Sequence, residues 1–212
     1  MLILASASPR RSELLTQAGF TFKIHSAHIP EDPKPGEDPI AYVVRLAREK
    51  AETVFSQLAH TVCGQEPGAP SFSRSLRKGW DSTNLDAQTL TVLGADTTVT
   101  LDSQILGKPQ DAADAARMLR MLSGQTHGVI TGVAVVTAER TEVAAEVTAV
   151  KFLTLSEEEI AAYIATGEPM DKAGAYAIQG RAARWIPRIV GDYSNVVGLP
   201  LALVAALLEG AS

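Results

Sequence analysis

The sequence predicts an α/β protein, a single domain with a twisted mixed central β-sheet flanked by helices. Three observations carry this. Strand-like apolar runs and stretches with helical apolar spacing alternate irregularly along the chain. Two long apolar stretches, 129–137 and 143–153, are joined only by a polar turn around Glu139 to Thr141, so they read as antiparallel neighbours. No linker divides the chain into independently folding units, so 1–212 reads as one catalytic domain.

Taken in order, Leu2 to Ala5 is a non-alternating apolar run, the pattern of a strand covered on both faces. Ser6 and Ser8 make a hydroxyl-rich turn in which Pro9 fixes a backbone angle, and Arg10 and Arg11 in this turn are brought to the start of a helix. Gly19 closes that helix as its C′ residue, and Phe20 to Ile24 is the next strand. The acidic, Pro-rich stretch from Ala27 to Pro39 is a loop. Asp38-Pro39 then supplies an N-cap and a proline at the first helical position. From there Ile40, Val43, Val44, Ala47, Ala51, Val54 and Leu58 recur at helical spacing. Glu49 falls opposite that stripe. Lys50 lies on its flank, where the stem can pack while the ammonium reaches a cleft edge. Arg48 takes the other flank.

Residues 63–88 are rich in Gly, Pro, Ser and polar residues without a period, and read as a flexible surface insertion. Thr89 to Ala95 is a buried strand ending at Asp96, followed by an extended segment to Leu101. Asp102-Ser103 turns the chain into the short return arm Gln104 to Leu106. Asp111 caps a helix over 112–122 whose apolar face is Ala115, Met118, Leu119 and Leu122, with Gly124 past its end. Ser156 and Glu159 match a capping box for a helix reaching about Thr166. The stretch 167–180 is a glycine-punctuated loop, 185–190 a strand and 191–198 a second loop. Pro200 opens a final apolar helix ending before Gly210.

The 212 residues are 46% hydrophobic and 20% charged, enough to bury a sizeable core. A net charge of −5 excludes a nucleic-acid binder held by bulk charge, so any anion site is a local basic cluster. One cysteine, Cys63, excludes an internal disulfide and a Cys-rich zinc site. There is neither a signal-peptide pattern nor a spanning apolar run, which points to the cytoplasm and to no membrane partner.

Three stretches can carry chemistry. The first joins a strand end, the hydroxyls of Ser6 and Ser8, two guanidinium groups and a helix N-terminus into an anion trap suited to a phosphate chain. The second is Asp96, preceded by the small residues Gly94 and Ala95. At a strand's carboxyl end, such a carboxylate can ligate Mg²⁺ or orient water. The third, 172–180, contains two glycines and Gln179, whose amide can pair with the edge of a pyrimidine base. Lys108, held by Pro109, and Lys50 are candidate phosphate charges. Glu31 and Asp32 are candidate metal ligands. His25, His28, His60 and His127 lack metal-like spacing, and no Walker A or Gly-x-Gly-x-x-Gly sequence is present.

Seven stretches in order make the chain recognisable: ASASPRR at 5–11, RLAREKA at 45–51, LGADT at 93–97, GKP at 107–109, LSGQTH at 122–127, DKAGAYAIQG at 171–180 and VGLP at 197–200. Together they resemble the Maf family of nucleoside triphosphate pyrophosphatases over nearly the whole chain. Only the 63–88 insertion departs, being longer than the resemblance leads one to expect. The resemblance implies a Maf/ITPase-like fold and hydrolysis of a nucleoside triphosphate to monophosphate and pyrophosphate with Mg²⁺ or Mn²⁺. It implies Asp96 as proton acceptor and Ser6, Arg11, Glu31, Lys50 and Lys108 around phosphates and metal, with Asp96 and Glu31 as metal ligands. Arg10, Thr97 and Gln179 match the positions that separate subgroups, and their combination resembles the subgroup acting on dTTP and UTP. The resemblance also implies a homodimer and a link to septum formation. The competing expectation is a nucleotide-binding regulator of division without turnover. An RNA-binding role for Arg74, Arg77 and Lys78 ranks last.

Overall fold

A computed structural model describes residues 1–63 and 90–210. The predicted 63–88 insertion, with Trp80 and its three basic residues, lies outside the described residues apart from Cys63. The elements are β1 (Leu2–Leu4), α1 (Pro9–Gln17), β2 (Phe22–Ile24), α2 (Pro39–Cys63), β3 (Thr91–Leu101), β4 (Gln104–Leu106), α3 (Ala112–Leu122), β5 (Thr126–Val136), β6 (Thr141–Lys151), α4 (Glu157–Ile164), β7 (Arg188–Val190), α5 (Tyr193–Val197) and α6 (Leu201–Gly210).

One seven-stranded sheet runs in the order β2-β1-β3-β5-β6-β7, with β4 paired to β3. The strands β2, β1 and β3 are mutually parallel and the other pairings antiparallel, so the sheet is mixed as expected. Alternation along the central strands sorts side chains to two faces. Ile3, Val92 and Ala134 face α2 and meet Ala47, Ala51, Val54 and Leu58. Leu4, Leu93, Ala95 and Val133 face the opposite way and meet Leu14, Leu15, Val197 and Val204 from α1, α5 and α6. A third cluster gathers α3 and α4 around Phe152, Tyr176 and Trp185.

Local chemistry explains the helix boundaries. Asp38 Oδ1 accepts from the backbone N–H groups of Ile40 and Ala41, and Asp111 Oδ1 from that of Asp114. Ser156 and Glu159 form the reciprocal capping box. Each such cap stabilises its helix by about 1 kcal/mol. Gly19, Gly124 and Gly167, which follow α1, α3 and α4, take left-handed backbone angles. The apolar face predicted for α3 is buried throughout.

Two glycines set the closeness of α2 to the sheet. A Cβ on Gly94 would stand 2.1 Å from the Ala47 carbonyl oxygen, and one on Gly132 would stand 2.4 Å from the Val43 backbone. The helix therefore lies directly on β3 and β5 at a distance that no side chain there permits.

Several expectations are corrected. Asp96 does not end a strand: β3 runs unbroken from Thr91 to Leu101, and Asp96 sits in its middle, opposite Gly132 of β5. A polar residue suggested a terminus where antiparallel pairing with β5 in fact carries the strand onward. Residues 181–185 form a 3₁₀ turn, and the strand begins only at Arg188. The 191–198 loop contains α5, whose first turn is held by the Asp192 carboxylate. The 167–180 loop contains two short 3₁₀ turns. Ile40, assigned to the buried stripe of α2, is exposed, while Tyr42, Leu46 and Lys50 of that helix are buried.

The edge of β3 away from β5 is interrupted. β1 pairs with Thr91 to Leu93, β4 pairs with Val99 to Leu101, and no described strand lies beside 94–98. After Leu4 the chain stays beside β3 for one more bond, from the Ala5 N–H to the Leu93 carbonyl, and then turns away through Ser6 to Ser8 into α1. The notch opens where Asp96 and Thr97 lie. Among the described residues no helix is long and apolar enough to cross a membrane.

Candidate active site

Around this notch lies a cleft of about 960 Å³. Every candidate residue lines it: Ser6, Arg10, Arg11, Glu31, Lys50, Asp96, Thr97, Lys108 and Gln179. The expectation puts Asp96 at a strand's carboxyl end; it instead lines this cleft from the middle of β3, where no described strand lies beside it on one edge.

On the α2 side the central group is Lys50. It is only 7% exposed, because α2 is pressed onto the sheet, and its ammonium lies between two carboxylates. Nζ stands 2.6 Å from Asp96 Oδ1 and 2.6 Å from Glu31 Oε1. Lys108, reaching over from the segment after β4, stands 3.8 Å from Glu31 Oε2. Burial pushes the Glu31 carboxyl upward, but the hydrogen bond and charge of Lys50, with Lys108 and Arg11, hold it below its ordinary value. Glu31 is therefore ionised at neutral pH.

Glu31 sits on a loop, and α2 fixes that loop. The Tyr42 hydroxyl donates to the Glu31 carbonyl at 2.7 Å. Arg45 forks onto Glu37 at 2.6 and 2.8 Å and also donates to the Asp32 carbonyl at 3.3 Å. Burial, with the charges of Asp96 and Glu31, pushes the Tyr42 phenol up to about 12, so it remains a donor. These anchors escaped sequence reasoning. Only the helical spacing of Tyr42, Arg45 and Glu49 around the Lys50 face hinted at them.

On the other side, Arg11 is held by neutral acceptors. Nε donates to the Gly198 carbonyl at 2.8 Å, Nη1 to Ser6 Oγ at 3.1 Å and Nη2 to Thr97 Oγ1 at 3.0 Å. A guanidinium has five N–H donors, so two remain for a ligand. No carboxylate among the described residues forms an ion pair with Arg11, and burial lowers its pKa while Asp96 and Glu31 oppose that from a distance. A partly buried cation without a contacting counter-ion is a site for an anion. Ser6 Oγ also accepts from the Ser8 N–H at 3.2 Å, which shapes the turn beneath it.

Arg10 and Gln179 occupy the cleft wall without engaging the Lys50 cluster. The turn bearing Gln179 is braced from behind. Glu168 accepts from the Tyr163 hydroxyl at 2.8 Å and from the Arg181 N–H at 3.1 Å, and Tyr163 Oη accepts from the Ala177 N–H at 3.2 Å. Thr97, grouped with Arg10 and Gln179 in the sequence, lines the cleft and accepts from Arg11 through its hydroxyl oxygen. His127 is buried away from the cleft against Tyr176, and burial lowers its pKa to about 4. Among the described residues no three His, Cys, Asp or Glu side chains cluster to hold a metal by themselves.

Fold and cleft together define an α/β protein that sets an uncompensated guanidinium against a lysine-bridged carboxylate pair, an arrangement for holding a polyanion. The chain belongs to the family of Maf-like proteins, whose model matches residues 1–211. It is 48% identical over 210 residues to a dTTP/UTP pyrophosphatase of Koribacter versatilis, covering 99% of this chain and 94% of that protein. It is 48% identical over 202 residues to the dTTP/UTP pyrophosphatase of Geobacter metallireducens, covering 94% and 90%. To that of Hahella chejuensis it is 45% identical over 208 residues, covering 98% and 90%.

Proposed function

We propose that this chain is a nucleoside triphosphate pyrophosphatase that hydrolyses dTTP and UTP to the monophosphate and pyrophosphate. The relatives' shared activity and near-complete coverage support the reaction. The observation that carries it to a mechanism is the opposition of Arg11 to the Glu31–Lys50–Asp96 cluster across one cleft.

Attack of water on the α-phosphorus builds charge on the non-bridging oxygens and on the departing pyrophosphate. Arg11, with two free donors, stabilises that charge, and Lys108 at the cleft edge adds a point charge. Lys50 keeps Glu31 ionised and holds both carboxylates in place. Asp96 then takes the proton of the attacking water. No nucleophile–base pair appears among the cleft residues, which favours direct attack by water.

A divalent cation fits the donor set. Asp96 and Glu31 bring carboxylate oxygens, hard donors suited to Mg²⁺ or Mn²⁺, to the same cleft; Lys50 touches only one oxygen of Asp96, and Lys108 holds Glu31 Oε2 loosely, at 3.8 Å. These two residues would hold the ion, which supplies charge neutralisation to the triphosphate. Arg10 and Gln179 are the base-reading groups of this proposal. The family resemblance supports a homodimer, and a nucleotide-pool substrate supports a cytoplasmic location.

The test is a panel of nucleoside triphosphates with Mg²⁺ or Mn²⁺, scored for pyrophosphate. dTTP and UTP are expected to lead, and Asp96→Asn is expected to lose about 10²–10⁴-fold in rate. Release of orthophosphate alone, or an Asp96→Asn variant at full rate, overturns the mechanism.

A further inference from the structure

Thr97 stands out because its hydroxyl turns away from a base-reading role and joins a buried chain of hydrogen bonds. It lies directly opposite Thr131 in the β3–β5 register, and the two hydroxyl oxygens are 2.9 Å apart. Thr131 is fully buried and does not line the cleft. Its hydroxyl donates to the Asn195 carbonyl at 3.1 Å. A hydroxyl has one proton, so with that proton committed, Thr131 can only accept from Thr97. The alternative acceptor for Thr97, the Gly198 carbonyl, is 3.4 Å away, beyond the usual O–H···O range.

The shorter contacts favour one set of proton directions along the chain. Arg11 Nη2 donates to Thr97, Thr97 to Thr131, and Thr131 to the Asn195 carbonyl. The far end is itself immobilised. The Asn195 side chain is fully buried and donates to the Val129 carbonyl at 3.0 Å and to Thr148 Oγ1 at 2.9 Å. Thr148 in turn donates to the Asp192 carbonyl at 3.0 Å, at the residue that caps α5. The same short helix leads to Gly198, whose carbonyl receives Arg11 Nε. Two of the three anchors of Arg11 thus trace back to one buried polar network.

We infer that Thr131 is a positioning residue for the phosphate-binding guanidinium. By fixing the proton of Thr97, it keeps a lone pair of that hydroxyl turned toward Arg11, which in turn aims the two free N–H donors into the cleft. Each bond in such a one-way chain polarises the next, strengthening the acceptor that Arg11 meets. This inference rests on the proposed phosphate role of Arg11 but not on turnover.

The experiment measures two quantities on the full chain. One is steady-state pyrophosphate release from dTTP with Mg²⁺, and the other is calorimetric affinity for inorganic tripolyphosphate with Mg²⁺, which needs no turnover. Thr131→Val keeps the shape and removes the relay. It is expected to raise KM for dTTP and weaken tripolyphosphate binding by about 10-fold, with a smaller change in kcat. Thr131→Ser restores the hydroxyl and is expected to recover most of both. Thr97→Val reads the relay from its other end, and the Thr97→Val/Thr131→Val double variant is expected to be no worse than Thr97→Val alone. Unchanged tripolyphosphate affinity in a folded Thr131→Val protein overturns the inference. So does Thr131→Ser as impaired as Thr131→Val, or losses that multiply in the double variant. If the wild-type protein binds tripolyphosphate but releases no pyrophosphate from dTTP, the proposed function fails while the affinity series still decides the relay.

Discussion

Lys50 is the residue on which the acidic half of the cleft depends. Two carboxylates meet its ammonium at 2.6 Å each, and without it they would face one another with only Lys108 and Arg11 nearby. Glu31 is held below its ordinary pKa of 4.5 against the upward push of burial, chiefly by Lys50. In Lys50→Met that restraint is gone, so the Glu31 carboxyl moves upward and protonates at a higher pH. The acid limb of kcat/KM is therefore expected to shift to higher pH in Lys50→Met, and the plateau to fall about 10²-fold or more. A pH–rate profile measures both, and an unmoved acid limb contradicts the role given to Lys50. The sequence placed Lys50 on a helix flank with its head at a cleft edge. It did not reveal the burial, because that depends on Gly94 and Gly132 admitting α2 to the sheet, and such contacts join residues 43 or more positions apart in the chain.

Among elements, the loop 27–39 shows how an irregular segment acquires a fixed carboxylate. Its tether is the Glu37–Arg45 fork, which with other contacts holds Glu37 at a pKa of about 2 against an ordinary 4.5. A depressed carboxylate pKa contributes stability that is fully present above the unfolded value and lost as pH falls through the folded one. The stability difference between the wild-type protein and Arg45→Ala is thus expected to be constant above about pH 5, near 1 kcal/mol for a pair at the surface, and to vanish toward pH 2. Chemical denaturation across that range tests the sign as well as the size. Arg45→Ala also loosens Glu31, so KM for dTTP with metal is expected to rise. Elements with purely local signals were legible: Asp38-Pro39, Asp111 and the Ser156–Glu159 box each start a helix where the sequence placed one. Short elements were not. The five residues of α5 carry too little periodicity to stand out, although their Asp192 cap is a local signal, and the burial of Asn195 is set by long-range contacts.

For the whole molecule, the mixed character of the sheet follows from strands legible as runs, yet neither its order nor the interruption beside 94–98 was legible. It exists because β1 leaves β3 early and β4 joins late, and neither pairing is visible without the register. The cleft so formed draws on both faces of the sheet, with Lys50 and Glu31 from the α2 side and Arg11 from the other. A ligand spanning it ties the two layers together. A non-hydrolysable dTTP analogue with Mg²⁺ at about 100 times its Kd is expected to stabilise the protein by about 2.7 kcal/mol, or very roughly 5–10 °C in Tm. In Arg11→Ala the shift is expected to shrink severalfold. Equal shifts in both proteins would mean that the ligand sits elsewhere.

The bond from Arg11 to the Gly198 carbonyl links positions 187 residues apart. During synthesis the arginine emerges well before its acceptor. Until α5 has formed and docked, the guanidinium lacks the partner that aims it, however well the early strands have assembled. A growing chain therefore cannot present a finished phosphate site to the cell's nucleotides. Competence arrives late, once the segment carrying α5 has been made and has docked.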